Sequence, residues 1–361
     1  MSPDSIIAHI AALQSHTDSR FSPGLFPSYR IQPQWLNYRR ADNNVFLTAC
    51  TLFTLQGIRH RLAPDAARLV DEIGERAARA YPHFRNKDGL DTYNFWPTRP
   101  SRHFSNGRLL HRFDHFRIPD DIDDTALVFL TQPPAPETLI WLKEKLSQHA
   151  NGTRHRIRNT FPEYRHLRAY STWFGKKMPI DFDVCALSNL LYLIFRHKLP
   201  RNEHDTDSLT LLVQMVRSGQ YVSQPFRCAP HYARTPLILY HIGRLLAMFH
   251  PPELVAVQPQ LVADARAQLA QVTHPMDRVI LSTTLRRLGE NPPPLDLTHI
   301  EQSFETFHFF IAGMLTAYEH PLLNRLATSP FVHMRWVCEA HCWALVAEYL
   351  TEGGGEERRR G

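Results

Sequence analysis

Apolar residues along the chain fall into runs with helical spacing, and two kinds of run alternate. Six are apolar on more than one face. They begin near Asp42 (NNVFLTACTLFTL), Asp123 (DTALVFL), Asp183 (VCALSNLLYLIF), Arg234 (TPLILYHIGRLLAMF), Asp277 (RVILSTTLRRL) and Arg335 (WVCEAHCWALVAEYL). A helix that is apolar most of the way round is buried. Between these runs lie more amphipathic or polar stretches at residues 64–80, 136–149, 203–218, 253–271 and about 298–317, with another at 5–15. Six buried and six half-exposed helices in alternation predict an all-α fold, a single (α/α)6 toroid with an inner ring of helices wrapped by an outer one. Few runs alternate strictly with period two, so little sheet is expected. No strong repeat and no low-complexity linker divides the chain. The expected organisation is one domain over residues 1–350 and a disordered basic tail over 351–361.

Inner helices joined through outer ones run parallel, so their N-termini collect at one end. That end gathers Asp42, Asn43, Asn44, Asp121, Asp123, Asp124, Asp181, Asp183, Tyr232, Arg234, Asp277 and Arg335. For Asp42 and Asp277, capping a helix start is reason enough for a carboxylate.

Composition narrows the chemistry. Proline outnumbers glycine by 27 to 15, the reverse of average usage. Glycine supplies the close backbone approaches that phosphate cradles need. The chain contains no G-x-G-x-x-G, G-x-x-x-x-G-K-[ST], G-x-S-x-G or H-E-x-x-H, so dinucleotide, P-loop, α/β-hydrolase and ordinary zinc-protease readings fall away. The net charge of +6 is carried partly by Arg154, Arg156, Arg158, Arg165 and Arg168 and by Arg358, Arg359 and Arg360. Such runs are solvated faces or attract anionic lipid or an anionic substrate, and no motif points to nucleic acid. No run of about 18 apolar residues occurs, and the first residues lack the pattern of a signal peptide, so a cytoplasmic protein is expected, with peripheral membrane contact as the one membrane role. Five cysteines form no framework and are expected to be free. No cofactor, metal or obligate protein partner is expected.

One stretch exceeds structural need. Residues 119–130 read PDDIDDTALVFL, four carboxylates in five positions ahead of a buried helix. Held together and partly buried, they cannot all ionise cheaply, so at least one keeps a proton. An acid of this kind facing an apolar cavity can protonate a weak base.

Asp121-Ile122-Asp123-Asp124-Thr125-Ala126 resembles the DxDD(T/A) signature of class II terpene cyclases, the family of squalene–hopene cyclases and copalyl diphosphate synthases. The resemblance implies that Asp123 is the Brønsted acid that protonates a terminal isoprene double bond, flanked by Asp121 and Asp124. Trp173-Phe174-Gly175, followed by Ile180-Asp181-Phe182, is similar to the W-[YF]-G-x-W-G-V-x-Y stretch of squalene and oxidosqualene cyclases. That places Phe182 on a cavity wall, at the position of a cation-stabilising aromatic. Lys177 and Met178 stand where that stretch has W-G, and the repeated Q-W motifs are absent. With room for one helical domain, the chain is most similar to single-domain meroterpenoid cyclases. This implies as substrate a linear polyprenyl chain, geranylgeranyl on an aromatic acid, cyclised to a fused polycycle.

Cyclisation by protonation creates carbocations that water would quench, and aromatic faces stabilise them at roughly 0.5–2 kcal/mol per ring. The chain has 21 Phe, 12 Tyr and 6 Trp. Near the predicted rim and cavity stand Phe95, Trp96, Trp173, Phe174, Phe182, Tyr232 and Trp336, with Tyr93, Tyr170, Phe304 and Phe307 further candidates. Arg234 or Arg335 would hold an anionic head group. Other readings use the same residues. Asp120, Asp121 and Asp124 also spell D-D-x-x-D, the magnesium–diphosphate motif of class I terpene synthases, although no second metal motif follows. Asp183-Val184-Cys185 resembles the zinc pair of protein prenyltransferases, with His231 and His241 nearby and Arg234 at the position best matching the third ligand. A lipid-binding toroid without catalysis and an α/α-barrel glycosidase pairing Asp183 with the cluster complete the alternatives.

Overall fold

The structure is a computed structural model that describes residues 2–17, 20–36, 38–99, 101, 118–175, 178–313, 315–316 and 319–353. Among these it contains fifteen helices and a small antiparallel sheet. No helix among them is long and apolar enough to cross a membrane. The expected all-α fold is therefore corrected to a mainly helical one with a sheet.

The helices are α1 Pro3–Leu13, α2 Phe46–Ile58, α3 Pro64–Ala80, α4 Ile122–Thr131, α5 Pro136–His149, α6 Val184–Arg196 and α7 Glu203–Arg217. They continue with the short α8 Gln220–Ser223 and α9 Pro225–Cys228, then α10 Thr235–Phe249, the short α11 Pro252–Val255, α12 Gln258–Gln271, α13 Pro275–Arg287, the short α14 Pro321–Leu326, and α15 Glu339–Gly353. Nine of the fifteen carry a proline in the first two positions, where the missing N–H costs nothing and the fixed φ suits the helix. The proline surplus is spent on helix starts.

All six strongly apolar runs are helices. Every residue of α4 is buried, as are twelve of the fifteen in α10. By contrast α3 buries Ala66, Val70, Ile73, Ala77 and Ala80, the single stripe of a helix with one wet face. The buried helices contact one another in a cycle: α2 on α4, α4 on α6, α6 on α10, α10 on α13, α13 on α15, and α15 back on α2. Around them α1 packs on α15 and α3, α3 on α2, α7 on α6, and α12 on α10 and α13.

The sheet has the order β2-β1-β4-β3, with β1 Ser28–Gln32, β2 Tyr38–Asp42, β3 Phe310–Gly313 and β4 His333–Val337. It replaces two expected stretches of helix. Of the stretch expected as helix over 298–317, residues 298–313 form a 3-10 turn over Ile300–Ser303 and then β3, and the last helix starts at Glu339 because Arg335 and Trp336 belong to β4. Trp336 and Phe310 are cross-strand partners on one face. That face meets the starts of α2 and α10 through Phe46 and Tyr232, whose rings lie 4.6 and 6.0 Å from that of Phe310. Alternation puts Arg335 on the other face.

Asp42 is no helix cap. It closes β2 and lies 3.0 Å from the fully buried Arg30, while its carboxylate accepts from the indoles of Trp96 at 3.1 Å and Trp336 at 2.8 Å. The cap of α2 comes from Asn44, which accepts from the Leu47 amide. Asp277 sits in the first turn of α13, where it pairs with Arg234. All five cysteines are free and buried. The last helix claims residues 351–353 of the expected tail, and the rest of that tail and Lys177 lie outside the described residues.

Candidate active site

The acidic stretch is clamped before it enters α4. Asp121 bridges Tyr93 on one side and Trp173 on the other, the Ile122 amide donates to Thr172 and the Phe174 amide to Asp120. Within this clamp the four carboxylates separate into distinct roles. Asp120 turns to the loop before it, accepting from Thr92 at 2.5 Å, from Asn94 and from Asn86. Asp121 is the N-cap of α4 and accepts from the amides of Asp123 at 2.9 Å and Asp124 at 2.7 Å. The Asp124 carboxyl shares a hydrogen bond with that of Asp121, and its other oxygen has no partner among the described residues. Asp123 reaches across to two other elements. Its Oδ1 accepts from Asn189 Nδ2 of α6 at 2.6 Å and its Oδ2 from the Tyr232 hydroxyl, just before α10, at 2.5 Å.

Burial pushes all three site carboxyls upward, and their partners then separate them. Asp124 is driven well above the ordinary range by burial and by the charge of Asp121. Asp121 is pushed up to about 7 by burial, against the pull of its bonds from Asp124. Burial also raises Asp123, opposed by the donors Asn189 and Tyr232 and by the positive charges of His231 and Arg244. Donors to both oxygens stabilise the ionised form, so protonated Asp123 gives up its proton more readily than burial alone would allow.

A second acidic pair borders the first. Asp183 caps α6 through the amides of Cys185 and Ala186 and also accepts from the His231 amide at 2.9 Å. Asp181 lies 3.1 Å from His231 Nε2. Burial opposes charge on His231, but Asp181, then Asp183 and Asp121, outweigh it and raise the imidazole to about 9. The folded value lies above the ordinary 6.5, so the stabilising contribution is whole below 6.5 and is lost as pH rises through about 9. A His231→Gln chain lacks this loss. Urea midpoints measured at about pH 6 and about pH 10 should differ between the two chains far more at the lower pH.

The predicted aromatics divide. Phe95 stacks on Phe310 at 5.2 Å and meets Trp336 edge-on at 5.3 Å, and the Tyr232 ring joins them through Phe46 and Phe310. Trp96 and Trp336 border the same group, tied to Asp42. Trp173 lies beside the acids, its ring 5.3 Å from His231. Phe174 instead turns outward onto His149 of α5, at 5.8 Å. Phe182 is a core residue between the two aspartates and makes no ring contact with the aromatic group among the described residues. Tyr170 is tied to Asn202 and Asp205 of the α7 capping box, and Phe304 packs on Trp343. Arg234 is occupied: it pairs with Asp277 at 2.6 Å, donates to the His308 carbonyl at 2.7 Å and covers Phe307.

Asn189, Arg244, Phe46 and Phe310 are not expected at the site from the sequence, and His231 is offered there only as a zinc ligand. Two had a visible signal. Asn189 and Arg244 interrupt otherwise apolar helical runs, and a polar residue there must find a partner inside. Among the described residues no cluster of His, Cys, Asp and Glu has the geometry to hold a metal ion. Asp123 lines none of the four most prominent cavities among the described residues. The largest, about 530 Å³, runs between α12, α13 and Asn291–Pro293, and the smallest, about 30 Å³, touches Trp173, Gly175 and His149.

No known family model, curated protein or solved structure matches this chain. The reading of the site therefore rests on its own chemistry.

Proposed function

We propose that this chain is a class II terpene cyclase acting on a linear polyprenyl chain, geranylgeranyl on an aromatic acid, with Asp123 as the proton donor. The observation that carries the reading is the setting of Asp123: a buried carboxyl with a donor on each oxygen, placed where α4, α6 and the start of α10 meet, beside an aromatic group. The cyclic order of helix contacts supports an (α/α)6 toroid, with the sheet laid against the helix starts.

In this reading Asp123 transfers its proton to the terminal alkene. The π pair forms the new C–H bond, the tertiary cation is attacked by the next alkene, and ring closure proceeds along the chain. Loss of a proton from the last cation leaves an isomer of the substrate, so no metal or organic cofactor takes part. Asp121 and Asp124 hold the start of α4 and keep their shared proton out of the reaction. Phe46, Phe95, Phe310, Tyr232 and Trp336 present the faces that stabilise the cations and exclude water. Asp123 is 5% exposed, so the alkene reaches it only when part of this aromatic group moves aside. The substrate partitions into membranes, so a cytoplasmic enzyme working at a membrane surface fits the reaction.

The test is product analysis after incubation with geranylgeranylated aromatic acids, with free prenyl diphosphates in parallel. The expected product has the mass of the substrate and fewer alkene protons. Recovery of unchanged substrate from every probe overturns the reading.

A further inference from the structure

Arg244 lies in the middle of α10 and is buried, 8% exposed. Its guanidinium covers the rings of Phe53 at 4.5 Å and Tyr240 at 5.2 Å, and it forms no ion pair among the described residues. A buried cation without a counter-charge is costly. Its Nη2 donates instead to Asn189 Oδ1 at 2.5 Å, and the same amide donates from Nδ2 to Asp123 Oδ1 at 2.6 Å. We infer that Arg244 is the counter-ion of Asp123, acting through Asn189, and is a positioning residue for the acid. This inference rests on the proposed proton-initiated reaction.

The direction of the relay follows from which atoms can donate. A guanidinium has no acceptor, so the Asn189 atom facing Arg244 must be oxygen. The atom facing Asp123 must then be the NH2 group, and Asp123 Oδ1 must accept. A proton carried by Asp123 is thereby confined to Oδ2, the oxygen that meets Tyr232. Once that proton leaves, the new carboxylate already has a fixed donor and a cation two bonds away, with no reorganisation needed. Arg244 also sets the side on which the chemistry runs. Positive charge developing near Phe53 and Tyr240 would meet a guanidinium, so the reacting chain lies toward Phe46, Phe95 and Phe310.

Several other ionisable groups share this neighbourhood. Facing Asp123 are Asp121 and Asp124 of its own helix, Cys50 of α2, Cys185 of α6, and His231 and Tyr232 before α10. Facing Arg244 are Cys50, Cys185, Tyr192 of α6, Tyr240 and His241 of α10, and His341 of α15. A titration assigned to Asp123 alone is therefore required. Carbon-13 carboxyl spectra of Asp-labelled protein supply it, the Asp123 signal being the one missing from Asp123→Asn.

In Arg244→Met the Asp123 titration should move up by about one pH unit or more. Arg244→Lys should restore part of the difference, and Asn189→Ala should reproduce the Met result, which covers the case in which Arg244→Met does not fold. On a prenylated aromatic acid, kcat should fall about tenfold or more with KM little changed. An unmoved Asp123 titration in folded Arg244→Met or Asn189→Ala overturns the inference. A moved titration in a chain whose wild type turns over no prenyl probe upholds the coupling and removes the cyclase reading instead.

Discussion

Asp123→Asn is expected to abolish the proposed cyclisation and to leave the fold standing. The amide matches the carboxylate in shape; its oxygen can accept from Asn189 and its NH2 can donate to the Tyr232 hydroxyl oxygen, so the junction of α4, α6 and α10 keeps its packing. What disappears is the transferable proton. Positioned acid catalysis contributes roughly 10²–10⁴-fold, and protonation is the step that starts every later one. A fall of at least about 10³ in product formation is expected, with circular dichroism and melting close to wild type. Product formation at the wild-type rate would remove Asp123 from the role of acid. Asp124→Asn is the informative companion. Burial and the charge of Asp121 keep the Asp124 carboxyl well above the ordinary range, and an amide there can donate toward Asp121, so much of the activity should remain.

The largest expected effect on stability lies at the sheet. Asp42→Asn leaves the Arg30 guanidinium, 1% exposed, without its counter-charge, and breaking one side of a buried pair costs about 3–5 kcal/mol. The loss should appear in the urea midpoint. Replacing both partners removes the stranded charge, so Asp42→Asn combined with Arg30→Met should unfold at a higher urea concentration than Asp42→Asn alone. If the double variant is no better than the single one, the cost belongs to the lost indole bonds of Trp96 and Trp336 and not to the charge.

This same pair explains why the sheet was hidden in the sequence. A half-buried strand announces itself by alternating apolar and polar residues. In β1 the inward positions are Ser28, Arg30 and Gln32, all buried and all polar. Their partners are Asp42, which pairs with Arg30, the carbonyls of Pro330, Phe331 and His333, and Asn44. Partners up to about three hundred positions away make these residues tolerable inside, and nothing local reveals them. The six apolar helices were legible because burial on every face needs no partner to be read. The acids were legible for the opposite reason, being more numerous than a cap requires. Between the two lie Asn189 and Arg244, single polar interruptions whose meaning depends on a carboxylate in another helix.

The cycle of helix contacts also bears on how the chain acquires its shape. α4, α6, α10 and α13 each pack on a neighbour close in sequence, so these contacts can form in order as the polypeptide is made. α15 is synthesised after all the others, yet it supplies the remaining contacts of both α2 and α13. Until it arrives, the faces of α1, α2 and α13 that it covers stand open to water, an invitation to holdase chaperones or to a second unfinished chain. The acid and its relay are assembled from α4, α6 and α10 alone. The part that carries the chemistry can therefore precede, on the ribosome, the part that seals it.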